Sequence, residues 1–299
     1  MTLSMHPRNP WRGTDCHDTH AQNLDELFEK GTVANLLWIA DLEHVASALQ
    51  SLQKAGVVVL WRPFHEANGG WFWWGGSGGD SSVGPDEFRR LWTELFNYLT
   101  YQKTLNNLLW VYAPTANGDS TSDRIGKMYP GAELVDIVGL DWYVETPDDS
   151  IANAYQQLRR FDKPMGLCEF GLANERDDSF DSYHILEKIV SDFPGLCFVL
   201  YWHSWRGSPV ALVDTAHFDK VVGADFAITL EEASRRSAHQ LHSKWFPAPW
   251  LEVTNSYPFD VIIARWIHHD QCDVHSRRSD REKTYGLSAI APHRSQQEC

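Results

Sequence analysis

The stretch VVVLWRPFHEANGGWFWWGG, residues 57–76, decides how the chain is read. It begins as a β-branched and apolar run without helical period, the pattern of a strand buried on both faces. Within a few residues it turns into a histidine, a carboxylate, an amide and a glycine-rich aromatic loop. A buried strand that closes on His65 and Glu66 carries chemistry at its C-terminal end.

The same design recurs in NLLWVYA (107–113), VDIVGLDWY (135–143), PMGLCEF (164–170) and FVLYWHSW (198–205). Between the first two strands lies PDEFRRLWTELFNYLT (85–100), in which Phe88, Leu91, Trp92, Leu95, Phe96 and Leu99 share one helical face. Amphipathic segments at 41–54, 150–161 and 180–193 separate other strands, and Gly56 marks a helix stop. Repeated βα units predict an α/β fold built on a parallel sheet, either a barrel or a doubly wound sheet.

The strand ends choose between them. They carry His65 and Glu66, then Tyr112, then Asp141 and Tyr143, then Glu169, then His203. An open sheet gathers only the ends near its switch point, whereas a barrel brings all of them to one mouth. A (β/α)8 TIM-barrel type is therefore expected. TLSMH (2–6) reads as a sixth strand with His6 at the mouth, which leaves the count two short of eight.

Composition excludes several other classes. Forty acidic residues against 26 basic ones give a net charge of −14, with no Lys/Arg stripe, so no nucleic acid is expected as a partner. No apolar run approaches the ~20 residues that span a bilayer, so no membrane association is expected. MTLSMHPRNP has neither the basic nor the apolar region of an export signal. Five cysteines without CxxC spacing indicate neither a disulfide framework nor a zinc site. CHDTH (16–20) and HHDQCDVH (268–275) show no established ligand pattern, and GGWFWWGGSGGD (69–80) lacks the GK[ST] and GxGxxG signatures of a phosphate cradle. Neither a metal nor a cofactor is expected, and the chain is expected to be a monomer.

The 14 tryptophans point to sugar, because an indole offers a flat apolar face for the C–H side of a pyranose ring. Core use is assigned to Trp92 and Trp110, and two of Trp71, Trp73 and Trp74 also read as packed inside. Glycoside hydrolysis needs two carboxylates facing the anomeric carbon. Glu66 and Glu169 each close a buried strand, and three βα steps separate them at about 34 residues per step, near the ~31 of a 250-residue eightfold barrel. Strands three apart lie nearly across a barrel. Arg62 can hold a carboxylate with two hydrogen bonds, Tyr143 can donate one to the nucleophile, and His65 can bond a sugar hydroxyl. Asp141 reads as bonded to mouth residues or neighbouring backbone rather than as a third catalytic acid.

RPFHEANGGWFWWG, NNLLWVYAP, YPGAELVDIVGLDWY and LCEFG resemble the motifs of glycoside hydrolase family 26, typified by endo-β-1,4-mannanases, and SMHPRNP is similar to that family's SWH..NP segment. The resemblance runs collinearly over residues 1–230. It implies a (β/α)8 barrel and a retaining double displacement, with Glu66 as acid/base and Glu169 as nucleophile. It also implies substrate contacts from His6, His65, Trp71, Tyr143 and Trp202, to which Arg62 and Asn68 are added as binding candidates. The expected partner is a mannan-type polysaccharide. Near alternatives are a β-1,3-xylanase, a mixed-linkage β-glucanase or a catalytically dead carbohydrate binder. A polymeric substrate implies a secreted or cell-envelope location.

The sequence departs from the family at two places. Met5 stands where Trp is usual, and the SWH segment would be the third barrel strand, so an N-terminally incomplete copy of marginal stability is expected. Residues 248–299 lose the βα rhythm. The catalytic domain is accordingly placed at 1–247 and a tail of unknown structure at 248–299.

Overall fold

A computed structural model describes residues 1–21, 23–75, 83–117, 122–144, 151–173, 180–204, 210–228 and the backbone of 262–264. Six parallel strands follow in chain order: β1 (Thr2–Met5), β2 (Val59–Pro63), β3 (Leu108–Tyr112), β4 (Ile137–Val144), β5 (Met165–Leu172) and β6 (Leu196–Tyr201). Each pairs only with its sequence neighbours, and a short β7 (Ile262–Ala264) adds antiparallel to β6. Helices α1 (Asp25–Phe28) and α2 (Val33–Lys54) follow β1, α3 (Pro85–Asn97) follows β2, and α4 (Ser122–Lys127) follows β3. Helix α5 (Ala152–Arg159) follows β4, α6 (Ser182–Asp192) follows β5, and α7 (Phe218–Val222) comes after β6. No described helix is long and apolar enough to cross a membrane.

Local chemistry accounts for the helix ends. Pro85 opens α3, and Glu87 reaches back to accept from the Gly84 N–H at 3.1 Å. The predicted face of α3 is buried, and its last turn widens into a π-turn at Tyr98–Gln102. Helix α2 stops where Gly56 takes φ +75°, with the Gly56 and Val57 N–H groups closing on the carbonyls of Gln53 and Leu52 at 2.9 Å each. Its start is a correction: α2 begins at Val33, capped by Thr32, eight residues before the expected 41. Alanines at 34 and 46 take core positions beside Trp38, Leu42 and Leu49, and small residues blur the apolar period.

Two further corrections concern strand ends. Tyr112 faces the helical layer: it is buried among Phe88, Trp92 and Tyr129, and its hydroxyl donates to the Ile125 carbonyl at 2.8 Å. β6 stops at Tyr201, so Trp202 and His203 lie just past it. Trp205, the 76–82 loop, HHDQCDVH and all of the tail but 262–264 lie outside the described residues.

Trp92 and Trp110 are core residues as expected, and Trp73 and Trp74 join them with no exposed surface, whereas Trp71 is 37% exposed. Trp73 also donates from Nε1 to the Pro7 carbonyl at 2.9 Å, which ties the aromatic loop to the segment after β1. Trp73→Ala removes this bond and opens an indole-sized cavity. It is expected to cost about 3–5 kcal/mol in urea unfolding; a loss below about 1 kcal/mol would contradict the packing.

Candidate active site

After Pro63 the chain does not continue as strand. Phe64 and Glu66 both take left-handed conformations, φ +52° and +53°, which non-glycine residues rarely adopt. The corner is over-determined by its surroundings: the Glu66 N–H donates to the Ala113 carbonyl at 2.7 Å, and the Gly69 N–H returns to the Glu66 carbonyl at 2.8 Å. Asn68 tethers the corner to the end of β3. Its amide donates to the Thr115 carbonyl and accepts from the Thr115 N–H, both at 2.9 Å. These two bonds give Asn68 a bracing role at the corner.

Glu66 is buried and accepts from Trp71 Nε1 at 2.8 Å. Burial and then the charge of Glu169 push its carboxyl up to about 7, against the Trp71 hydrogen bond and the Arg62 charge. A carboxylic acid poised there can give and retake a proton near neutral pH.

Glu169 stands on the neighbouring side of the same cluster. The expectation that it closes its strand is corrected, because β5 runs on through Phe170, Gly171 and Leu172 alongside the end of β4. Its orientation comes from a register shift: Leu140 pairs with Leu167, but the next residue, Asp141, pairs with Glu169. Cys168 is the extra residue and packs with Val111, Ala113 and Ile137, while Glu169 turns to the polar cluster.

The cluster is organised by Arg62, which is fully buried. Nη1 donates to both oxygens of Asp141 at 2.6 and 2.5 Å, Nη2 donates to Glu169 Oε1, and Nε donates to Ser4 Oγ at 3.0 Å. Arg62 therefore clamps two carboxylates, the arrangement its position inside a buried strand predicts. Burial opposes its charge, but Asp141 and Glu169 outweigh burial and keep the guanidinium protonated. Burial pushes Asp141 up, and Arg62 pulls against it. Tyr143 donates from its hydroxyl to Glu169 Oε2 at 2.7 Å, and burial followed by the Glu169 charge pushes its own pKa up, which keeps the proton on the phenol. Asn117 fixes the Tyr143 backbone with bonds of 2.6 and 3.0 Å.

His65 Nε2 lies 3.9 Å from Glu169 Oε1, and its buried Nδ1 meets no hydrogen-bond partner among the described residues. Burial, then Arg62 and His6, drive its pKa well down, so the ring is neutral. His6 packs edge-on against it with ring centroids 4.4 Å apart and is itself exposed. Trp202 is half-buried at the end of β6, held by its N–H to the Phe170 carbonyl at 2.9 Å. Of the expected site residues, Glu66, Glu169, Arg62, His65, His6, Tyr143 and Trp71 are brought together. Possible ligand atoms of His65, Glu66 and Asp141 lie within 4.8 Å of one another, as do those of Asp15, Cys16 and His17.

Asp141 is bonded to a mouth residue, Arg62, as its sequence position suggests. Sequence reasoning missed Ser4, which was visible through the two-residue period of a strand because it shares a face with His6.

The family profile described as Glycosyl hydrolase family 26 matches residues 1–232. The chain is 34% identical over 205 residues to a mannan endo-1,4-beta-mannosidase of Bacillus subtilis strain 168, covering 67% of this chain and 55% of that relative. It is 33% identical over 208 residues to mannan endo-1,4-beta-mannosidase A and B of Caldalkalibacillus mannanilyticus, covering 68% of this chain and 40% of that one. The chain thus spans about half the length of the curated relatives it matches. Among solved structures, the Bacillus subtilis mannanase man26 superposes with a TM-score of 0.59 at 32% identity, covering 68% of this chain and 59% of that one. The catalytic domain of the Bacillus sp. JAMB-750 GH26 endo-beta-1,4-mannanase gives 0.64 at 26% identity over 78% of this chain and 68% of that one. The fold is of the (β/α)8 TIM-barrel type, and the six parallel strands form part of such a barrel.

Proposed function

Since this chain belongs to glycosyl hydrolase family 26, we propose that it carries the chemistry of an endo-acting β-mannanase, hydrolysing internal β-1,4-mannosidic bonds with retention of configuration. The observation that carries the reading is the unequal pair of buried carboxylates. Glu66 is pushed up to about 7 beside an indole N–H, while Glu169 is gripped on one oxygen by Arg62 and on the other by Tyr143. Two carboxyl groups in environments that differ in this way divide into an acid and a nucleophile.

Glu169 attacks the anomeric carbon while Glu66 delivers its proton to the departing glycosidic oxygen. A glycosyl ester forms and the leaving chain departs as an alcohol. Glu66, now ionised, takes a proton from water, whose oxygen displaces Glu169. The exposed ring of His6, the half-exposed Trp71 and the half-buried Tyr143 and Trp202 line the groove where the sugar sits, with His65 packed beneath His6. The catalytic unit is residues 1–247, its partner is a mannan-type polysaccharide, and such a polymer is met outside the cell or at its envelope.

The test is reducing-sugar release from β-mannan, xylan and mixed-linkage glucan, with proton NMR of the first products. Mannan cleavage giving β-configured reducing ends supports the reading. Activity confined to xylan or glucan would reassign the substrate, α-configured first products would overturn retention, and binding without cleavage would leave a carbohydrate binder.

The Trp71 hydrogen bond gives a pH prediction. It favours ionised Glu66, so Trp71→Phe raises the pKa of the acid above about 7. The acid must be protonated to act, so the alkaline limb of kcat/KM moves upward, by up to about one pH unit. A limb that stays put, or moves down, contradicts the Trp71–Glu66 bond.

A further inference from the structure

We infer that Ser4 is a positioning residue for the nucleophile, acting through Arg62; the inference rests on the reading of Glu169 as the attacking group.

Ser4 lies on β1 directly beside Arg62 on β2, paired in the parallel register, and its Oγ accepts from Arg62 Nε at 3.0 Å. The guanidinium is thereby held at three points on two sides. Nη1 is committed to Asp141, Nη2 to Glu169, and Nε to the serine. The two Nη contacts alone leave a planar fork free to roll and slide between two carboxylates. The Nε contact fixes the edge on which the group is mounted, and with it the place at which Nη2 meets Glu169.

Burial makes the contact consequential. Arg62 has no exposed surface, so an Nε–H that loses Ser4 finds no bulk water to replace it. The acceptors at hand are the carboxylates, and the guanidinium must turn toward one of them. Either turn changes how Glu169 is gripped, and an attacking oxygen displaced by a fraction of an ångström loses its aim.

The residue type also fits. Glu66, Asp141 and Glu169 crowd one arginine, and each raises or is raised by another's charge. A hydroxyl satisfies Nε without adding a fourth negative charge, which an aspartate at the same position would do. The arrangement also makes the nucleophile depend on β1, an edge strand of the described sheet held by its pairing with β2.

Ser4→Ala and Ser4→Thr are measured in the full chain on mannooligosaccharides and on an activated aryl β-mannobioside. The expected result for Ser4→Ala is a kcat lower by roughly ten- to a hundredfold, with KM changed by less than about twofold. The loss is equal on both substrates, because nucleophile placement matters whatever the leaving group, whereas a fault in the acid would spare the activated one. Ser4→Thr, which keeps the hydroxyl, restores most of the rate. A folded Ser4→Ala chain with unchanged kcat, or a loss that Ser4→Thr does not repair, overturns the inference. A readout independent of activity is the 15N resonance of the Arg62 Nε–H, which should shift and exchange faster in Ser4→Ala. If the chain itself cleaves no glycan, the functional reading fails, and the Arg62 resonance still decides whether Ser4 anchors the guanidinium.

Discussion

Glu169→Gln is expected to lower kcat on β-mannan on the order of 10^4-fold or more while leaving the fold intact. The amide has nearly the volume of the carboxylate; its carbonyl oxygen can still accept from Arg62, while its NH2 can donate to the Tyr143 hydroxyl oxygen, so the clamp has something to hold, but it cannot form the glycosyl ester. The fold should tolerate the change. Asp141 remains to balance Arg62 through two short hydrogen bonds, and removing one of three crowded carboxylates relieves repulsion. A thermal midpoint within a few degrees of the unsubstituted chain, measured by circular dichroism, separates lost chemistry from lost structure. The role can be made explicit with Glu169→Ala and azide. A small anion in the vacated space attacks the same face as the carboxylate did and yields the α-mannosyl azide, the inverted product. Recovery of the β-azide instead would mean that Glu169 is the acid and Glu66 the nucleophile.

The six strands were legible because they depend on local pattern. An aperiodic apolar run marks a buried strand, and charged residues toward its C-terminal end mark the mouth. What stayed hidden depends on relations between strands. A strand buried on both faces gives no sign of which side chain points inward, so Tyr112 was read at the mouth although it packs under α3. The one-residue shift that turns Glu169 into the cluster exists only in the pairing of β4 with β5. The same holds for the bonds by which the Asn68 amide ties its corner to the backbone of Thr115. Arg62 lies between the two cases. Its position inside a buried strand announces that it must be paired, but only the curl of the sheet names Asp141 and Glu169 as its partners.

Glu66→Ala is expected to separate the two halves of the reaction by their need for a proton. On β-mannan, whose leaving group is a sugar alkoxide, the first step requires the acid, and kcat/KM should fall on the order of 10^3-fold. On a dinitrophenyl β-mannobioside the leaving group departs without a proton, so glycosyl-enzyme formation should stay within about tenfold of the unsubstituted rate. The second step then lacks its base, the ester accumulates, and kcat falls together with KM. Azide, which needs no base, should accelerate this variant and give the β-azide by double displacement. The pH dependence carries a separate signature. Glu66 is pushed up to about 7 by burial and by Glu169, and it must be protonated for the first step, so kcat/KM on unactivated substrate should decline as pH rises through about 7. In Glu66→Ala, assayed with the activated substrate, that decline should vanish. If it persists there, another group titrates near neutrality and the acid has been misassigned; Asp141 would be the next to examine, since burial pushes its carboxyl up within the same cluster.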